Sequence, residues 1–229
     1  MTSETHRHFH GELAEVRDRL LTMSGAAESA LGLAMEALLA RDVERARQVL
    51  AGDHDIDRRE VEIEERCIAL IALQQPMARD LRMLTSVLKF ANALERVGDH
   101  AVNIAEAATR LASQRSQLPE PELVEMARIA RGMLADAIDA FIRGDAVSGR
   151  EICRRDDQVD GLNRSVFAAV LSQMVKDPQL IGVGMELVLV SRNLERVADL
   201  ATNIAEGVVY LVEGKSIKHH AEDGASEGA

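Results

Sequence analysis

LERVGDHAVNIAE, residues 94–106, returns as LERVADLATNIAE at residues 194–206. Ten of the thirteen positions are identical without a gap. Helical composition bias does not reproduce Glu, Arg, Asp, Asn and Glu at one fixed spacing, so the chain is an internal duplication. The likeness extends upstream. Asp53-His54-Asp55-Ile56-Asp57 answers Asp156-Asp157-Gln158-Val159-Asp160, Asp42 answers Asp145, and Pro76 sits where Pro178 does. The repeat therefore divides the chain into residues 9–112 and 121–214, joined by the polar, proline-containing stretch SQRSQLPEP at 113–121 and followed by a polar tail at 215–229.

Each unit reads as three helices. In the first, Leu13, Val16, Leu20, Leu31, Met35 and Leu38 recur at helical spacing up to Ala40. Asp42 is placed to cap a second helix that Pro76 ends, and a third runs to about Ala112. The second unit repeats the pattern, with Asp145 as cap and Asp177-Pro178 as a helix start. Long helices with short connections bury their apolar stripes by packing antiparallel. The expected fold is all-α, two tandem three-helix bundles related by a pseudo-two-fold axis.

Composition agrees. Of 229 residues, 47% are hydrophobic, only five are aromatic (Tyr210 and four Phe), and there are four prolines, so the core is aliphatic and helical. Thirty-eight acids against 27 bases give a net charge of −11. That charge argues against a phosphate-backbone-attracting surface and hence against nucleic-acid binding. The most apolar stretch, around 180–190, is cut by Glu186, so no membrane-spanning segment is expected. The sequence MTSETHRHFHGE lacks the apolar run of a signal peptide, and a cytoplasmic location is expected. Cys67 and Cys153 form no CxxC pair and read as packed thiols.

The acids carry the chemical signal. Placed on a helix at about 100° per residue, Glu95 and Asp99 fall about 40° and 80° round from Ala91, on the stripe that also holds Leu84 and Leu88. Asp53 and Asp57 are four apart on the preceding helix, as are Asp156 and Asp160; Glu195 and Asp199 repeat Glu95 and Asp99. Like charges at this spacing cost a helix about 0.2–0.5 kcal/mol per pair. Four pairs at matched places call for a compensating cation: either Arg96 and Arg196, or a bound metal. Oxygen donors suit hard cations such as Mg²⁺, Ca²⁺ or Mn²⁺, and iron in clusters. Gly214-Lys215-Ser216 is not a P-loop, because Val209 stands at the earlier glycine position. Without a Glu-x-x-His pair or a nucleophile beside a base, the expectation is a protein that is not an enzyme. The alternative is a carboxylate metalloprotein, a metal store or metal-dependent enzyme, built on a helical bundle.

The doubled motif, the QQPMARDLR turn at 74–82 and the ending YLVEGKSIKHH at 210–220 resemble the PhoU family, over about residues 9–219. Ala198 departs from the glycine of the first repeat, and Leu200 replaces His100, a change expected to make the two sites unequal. The resemblance implies a cytoplasmic, dimeric negative regulator that links the ATPase subunit of the phosphate ABC transporter to the sensor histidine kinase of the phosphate regulon. It also implies iron, zinc, manganese or magnesium at E/D-x-x-x-D motifs. Those motifs are Asp53/Asp57, Glu95/Asp99, Asp156/Asp160 and Glu195/Asp199, with Asn103, Asn203, Glu106 and Glu206 as added ligands or their supports.

Overall fold

The computed structural model describes residues 3–114 and 120–217. Its order is α1 (Ser3–Ala40), α2 (Val43–Gln74), α3 (Ala78–Leu111), α4 (Glu120–Arg143), α5 (Ala146–Lys176), a 3₁₀ turn (Pro178–Leu180) and α6 (Ile181–Glu213). No strand occurs among the described residues. The two three-helix units are α1–α3 and α4–α6.

The α1–α2 and α4–α5 corners are built alike. Arg41 and Gly144 take left-handed φ values of 55° and 63°. The next N–H reaches back five residues, Asp42 to the Ala37 carbonyl and Asp145 to the Ala140 carbonyl, both at 2.9 Å. This is a Schellman close, and glycine suits its left-handed position while arginine strains there. The same aspartates then open the next helix. Asp42 Oδ1 accepts from the Glu44 and Arg45 amides at 3.0 and 3.1 Å, and Asp145 Oδ1 from Val147 and Ser148, both at 3.1 Å. Each cap is worth about 1 kcal/mol.

Three boundaries differ from the sequence reading, the first being α1, which begins at Ser3 rather than at residue 9. Glu120 and Pro121 belong to α4, because proline is tolerated in a first helical turn; residues 115–119 of the expected linker lie outside the described residues. Asp177 caps a 3₁₀ turn, accepting from the Gln179 amide at 3.0 Å, and α6 begins only at Ile181. Of the expected tail, 218–229 lie outside the described residues.

The third helix of each unit is its spine. α3 packs on α1 and α2, α6 on α4 and α5, and the two spines pack on each other. Val16, Leu20, Met23, Ala27 and Leu31 of α1 are completely buried, at the three- and four-residue steps that put them on one face. At the α3–α6 seam, Phe90 meets Phe141 of α4 edge to face, 5.3 Å between ring centroids. Gly207 makes the seam possible, since a Cβ there would stand 2.4 Å from the Phe90 ring. Along the seam Phe90 faces Gly207, Asn103 faces Asn193 and Arg110 faces Glu186. Numbers rise on one helix as they fall on the other, so the spines run antiparallel, as a pseudo-two-fold between units requires.

Candidate functional site

The first acidic set lies where α2 faces α3. Ile56 and Asp53 stand over Gly98: a Cβ at 98 would be 3.1 Å from Ile56 Cδ1 and 3.6 Å from Asp53 Oδ1. This close approach seats Asp53 beside the Glu95/Asp99 face. Asp53 and Glu95 both have carboxyl pKa values above the usual range. For Asp53 the first cause is burial, then the charges of Asp57 and Asp99; for Glu95 it is burial, then Asp99, Asp57, Glu60 and Asp53. Thus Asp53, Asp57, Glu95 and Asp99 feel one another across the two helices.

The second set, on α5 and α6, repeats this. Burial, followed by the charges of Asp199, Asp160, Asp157 and Glu195, pushes Asp156 up to about 6. Glu195 Oε2 is buried without a hydrogen-bond partner among the described residues. A partly buried carboxylate oxygen left unpaired costs energy that a proton or a cation would recover.

Compensation differs between the sets. Arg196 Nη1 donates to Asp199 Oδ2 at 2.7 Å, and Arg164 stands 4.0 Å from Asp160. Arg96 forms no ion pair with the first set among the described residues; it faces α6 instead. The basic group next to the first set is His54, exposed and 4.0 Å from Asp57.

Glu60 belongs with the first set and Asp157 with the second, although the repeated motifs did not single them out. Glu60 was readable as the next step of an Asp53-Asp57-Glu60 face on α2. The counterpart of Glu60 is Asn163, whose Oδ1 accepts from the Ser191 hydroxyl at 2.9 Å.

Asn103 and Asn203 do not join the acids. Asn103 donates to Asn193 Oδ1 at 3.2 Å across the seam, and Asn203 lines a groove with Lys89 and Arg96. Glu106 pairs with Arg110 at 3.3 Å. His100 Nδ1 lies 2.9 Å from Asn193 Oδ1, so its exchange for Leu200 alters the seam rather than the acidic set. Both cysteines are free thiols; burial pushes Cys67 to about 12 and Cys153 to about 11, so neither is a ready thiolate ligand.

The donors fit a hard cation in kind: all are carboxylates, mutually repelling and short of basic partners at the first set. Among the described residues no three His, Cys, Asp or Glu side chains already close round one point. Electrostatic repulsion between unneutralised acids opposes such closure.

Two helical repeats, each with an acidic set and joined through their spine helices, define a duplicated all-α protein of one class. The PhoU domain model matches residues 20–108 and 123–208, and the chain belongs to the PhoU family. It is 36% identical over 214 residues to the phosphate-specific transport system accessory protein PhoU homolog of Clostridium acetobutylicum, covering 93% of this chain and 98% of that one. It is 39% identical over 208 residues to the homolog of Aquifex aeolicus, covering 91% and 94%. The crystal structure of PhoU from Pseudomonas aeruginosa superposes with a TM-score of 0.88 at 35% identity, over 90% of this chain and all of that one. The phosphate transport system regulatory protein PhoU of Streptococcus pneumoniae superposes with a TM-score of 0.85 at 32% identity, over 91% and 98%.

Proposed function

We propose that the chain regulates phosphate transport without turning over a substrate. It acts as a cytoplasmic, dimeric adaptor between the ATPase subunit of a phosphate ABC transporter and the sensor histidine kinase of the phosphate regulon. The observation that carries this reading is the near full-length match to relatives named as phosphate transport accessory and regulatory proteins. No helix among the described residues is long and apolar enough to cross a membrane, which suits docking onto membrane complexes from one side. The net charge of −11 would speed association with basic partner surfaces and make it salt-sensitive.

Within this reading, Asp53, Asp57, Glu95 and Asp99 hold one cation, with Glu60 beside them, and Asp156, Asp160, Glu195 and Asp199 hold a second. Iron, zinc, manganese or magnesium would supply positive charge there and tie α2 to α3 and α5 to α6. Glu195 Oε2, buried and unpaired, supports that assignment. Deleting the gene tests the regulatory role. Phosphate-regulon transcription should stay on in rich phosphate, and co-purification with the transporter ATPase and the sensor kinase should change between high and low phosphate. Normal repression in the deletion strain contradicts the reading.

A further inference from the structure

The seam between the spine helices holds a groove of about 360 Å³ lined by Asn103, Arg110, Leu189, Arg192, Asn193 and Arg196. Three guanidinium groups line it and no carboxylate does. In a chain of net charge −11 that local sign is unexpected. We propose that this groove binds a small phosphate-bearing anion, either inorganic phosphate or a phosphomonoester.

Its polar groups are anchored from behind. Asn193 donates to the Leu189 carbonyl at 2.8 Å, while its Oδ1 accepts from Asn103 Nδ2 and faces His100 Nδ1. Glu186 holds Arg110 Nε at 2.8 Å and Glu106 holds its Nη1 at 3.3 Å; Asp199 holds Arg196 Nη1 at 2.7 Å. Each of these arginines is engaged through part of its fork. Arg192, exposed, makes no ion pair among the described residues. Guanidinium forks match the paired oxygens of a phosphate, and several cations favour a doubly charged tetrahedral anion over a single carboxylate. Glu106, Glu186 and Asp199 formally balance the three guanidinium charges, but they pair with Arg110 and Arg196 alone and stand outside the lining, so the attraction for an anion rests on Arg192 and on the donors that Arg110 and Arg196 leave unused.

The pseudo-two-fold supplies an internal control. The opposite groove, about 510 Å³, carries Lys89, Arg96, Asn203 and Tyr210, but Glu206 also lines it. A carboxylate in the wall repels an anion, so the two grooves divide in function. The repeated Arg and Asn of LERV-x-D-x-A-x-N thereby gain a use separate from the acids: Arg196 with Asn103 in one groove, Arg96 with Asn203 in the other. This site stands independently of the adaptor role and of the cations, and its test needs only purified protein.

The test is calorimetric titration of chelator-treated full-length protein, in chloride buffer, with inorganic phosphate and separately with glycerol phosphate. Saturable heat is expected with at least one of them, and the arm that gives it identifies free phosphate or a phosphomonoester. Arg192→Gln, at an exposed position, should weaken binding about tenfold or more with unchanged helical circular dichroism, since a hydrogen bond to a charged group is worth about 1.5–3 kcal/mol. Arg192→Lys should restore part of the affinity, and Lys89→Gln should bind as wild type. Absence of saturable heat in both arms overturns the proposal. So does an Arg192→Gln protein that binds as wild type, or a loss of binding confined to Lys89→Gln.

Discussion

The two repeats hold the same four-acid pattern in different electrostatic settings. In the first, Glu60 adds a fifth carboxylate and no arginine pairs with Asp53, Asp57, Glu95 or Asp99 among the described residues. In the second, Asn163 replaces Glu60, Arg196 grips Asp199 at 2.7 Å, and Arg164 approaches Asp160. Packing beneath the acids was adjusted in step. The first repeat sets Ile56 against Gly98; the second has Val159 and Ala198, one methyl fewer on the one side and one more on the other. Duplication thus preserved volume and fold while letting charge compensation drift. The first set has no internal cation paired with it among the described residues, whereas the second already has one in part.

The largest consequence is thermal. A cation that binds only the folded chain stabilises it by about 2.7 kcal/mol at one hundred times its Kd. For a chain of this size that is about 5–10 °C in melting temperature. Mn²⁺ added to chelator-treated protein should produce such a shift, read by differential scanning calorimetry. Glu95→Gln with Asp99→Asn should remove more of it than Glu195→Gln with Asp199→Asn. Equal losses from the two double variants would erase the distinction between the repeats.

Next comes the pH response of the metal-free protein. Burial, and then the neighbouring acids, pushes the Asp156 carboxyl of the folded chain up to about 6, well above the ordinary aspartate range. The folded state therefore holds this proton more tightly than the unfolded state does. Its penalty is absent below pH 3.8, grows as pH rises, and is complete above about pH 6. Asp156→Asn should raise the stability of metal-free protein by about 1–2 kcal/mol at pH 7.5, after discounting for solvent screening, and by much less near pH 4. Urea unfolding at both pH values checks this; an equal effect at the two would sink the electrostatic explanation.

A smaller effect should follow from freeing the second set. Arg196→Gln removes the guanidinium that competes for Asp199, whose side chain and partner are partly solvent-exposed. A gain of about 1 kcal/mol, or about fivefold in Mn²⁺ affinity at that set, is expected. The smallest concerns packing. Gly98→Ala crowds Ile56, and Ile56→Val makes room. The double variant should be about 0.5–1 kcal/mol more stable than the sum of the single changes, as a double-mutant cycle would measure.

Much of this was readable in the residues, and the limit is physical. Helical period places Val16, Leu20 and Leu31 on one face, and Asp42 and Asp145 announce their helix starts, because these are local effects. Period also groups Glu95 with Asp99. It does not say which neighbour covers the rest of the wheel. Arg96, His100 and Asn103 face α6, a helix about one hundred residues away in sequence, so their role waits on antiparallel packing of the spines. Grouping Asn103 and Asn203 with the acids failed for that reason. The 3₁₀ turn at Pro178–Leu180 was also hidden, since Asp-Pro opens either kind of helix.

Calorimetric titration of Mn²⁺ into chelator-treated full-length protein is the most direct test of the claim that duplicated acidic sets have become unequal cation sites. Two saturable classes of site are predicted, the tighter lost in Glu95→Gln/Asp99→Asn and the weaker lost in Glu195→Gln/Asp199→Asn. A single class of equal sites, or heat that neither double variant changes, would contradict it.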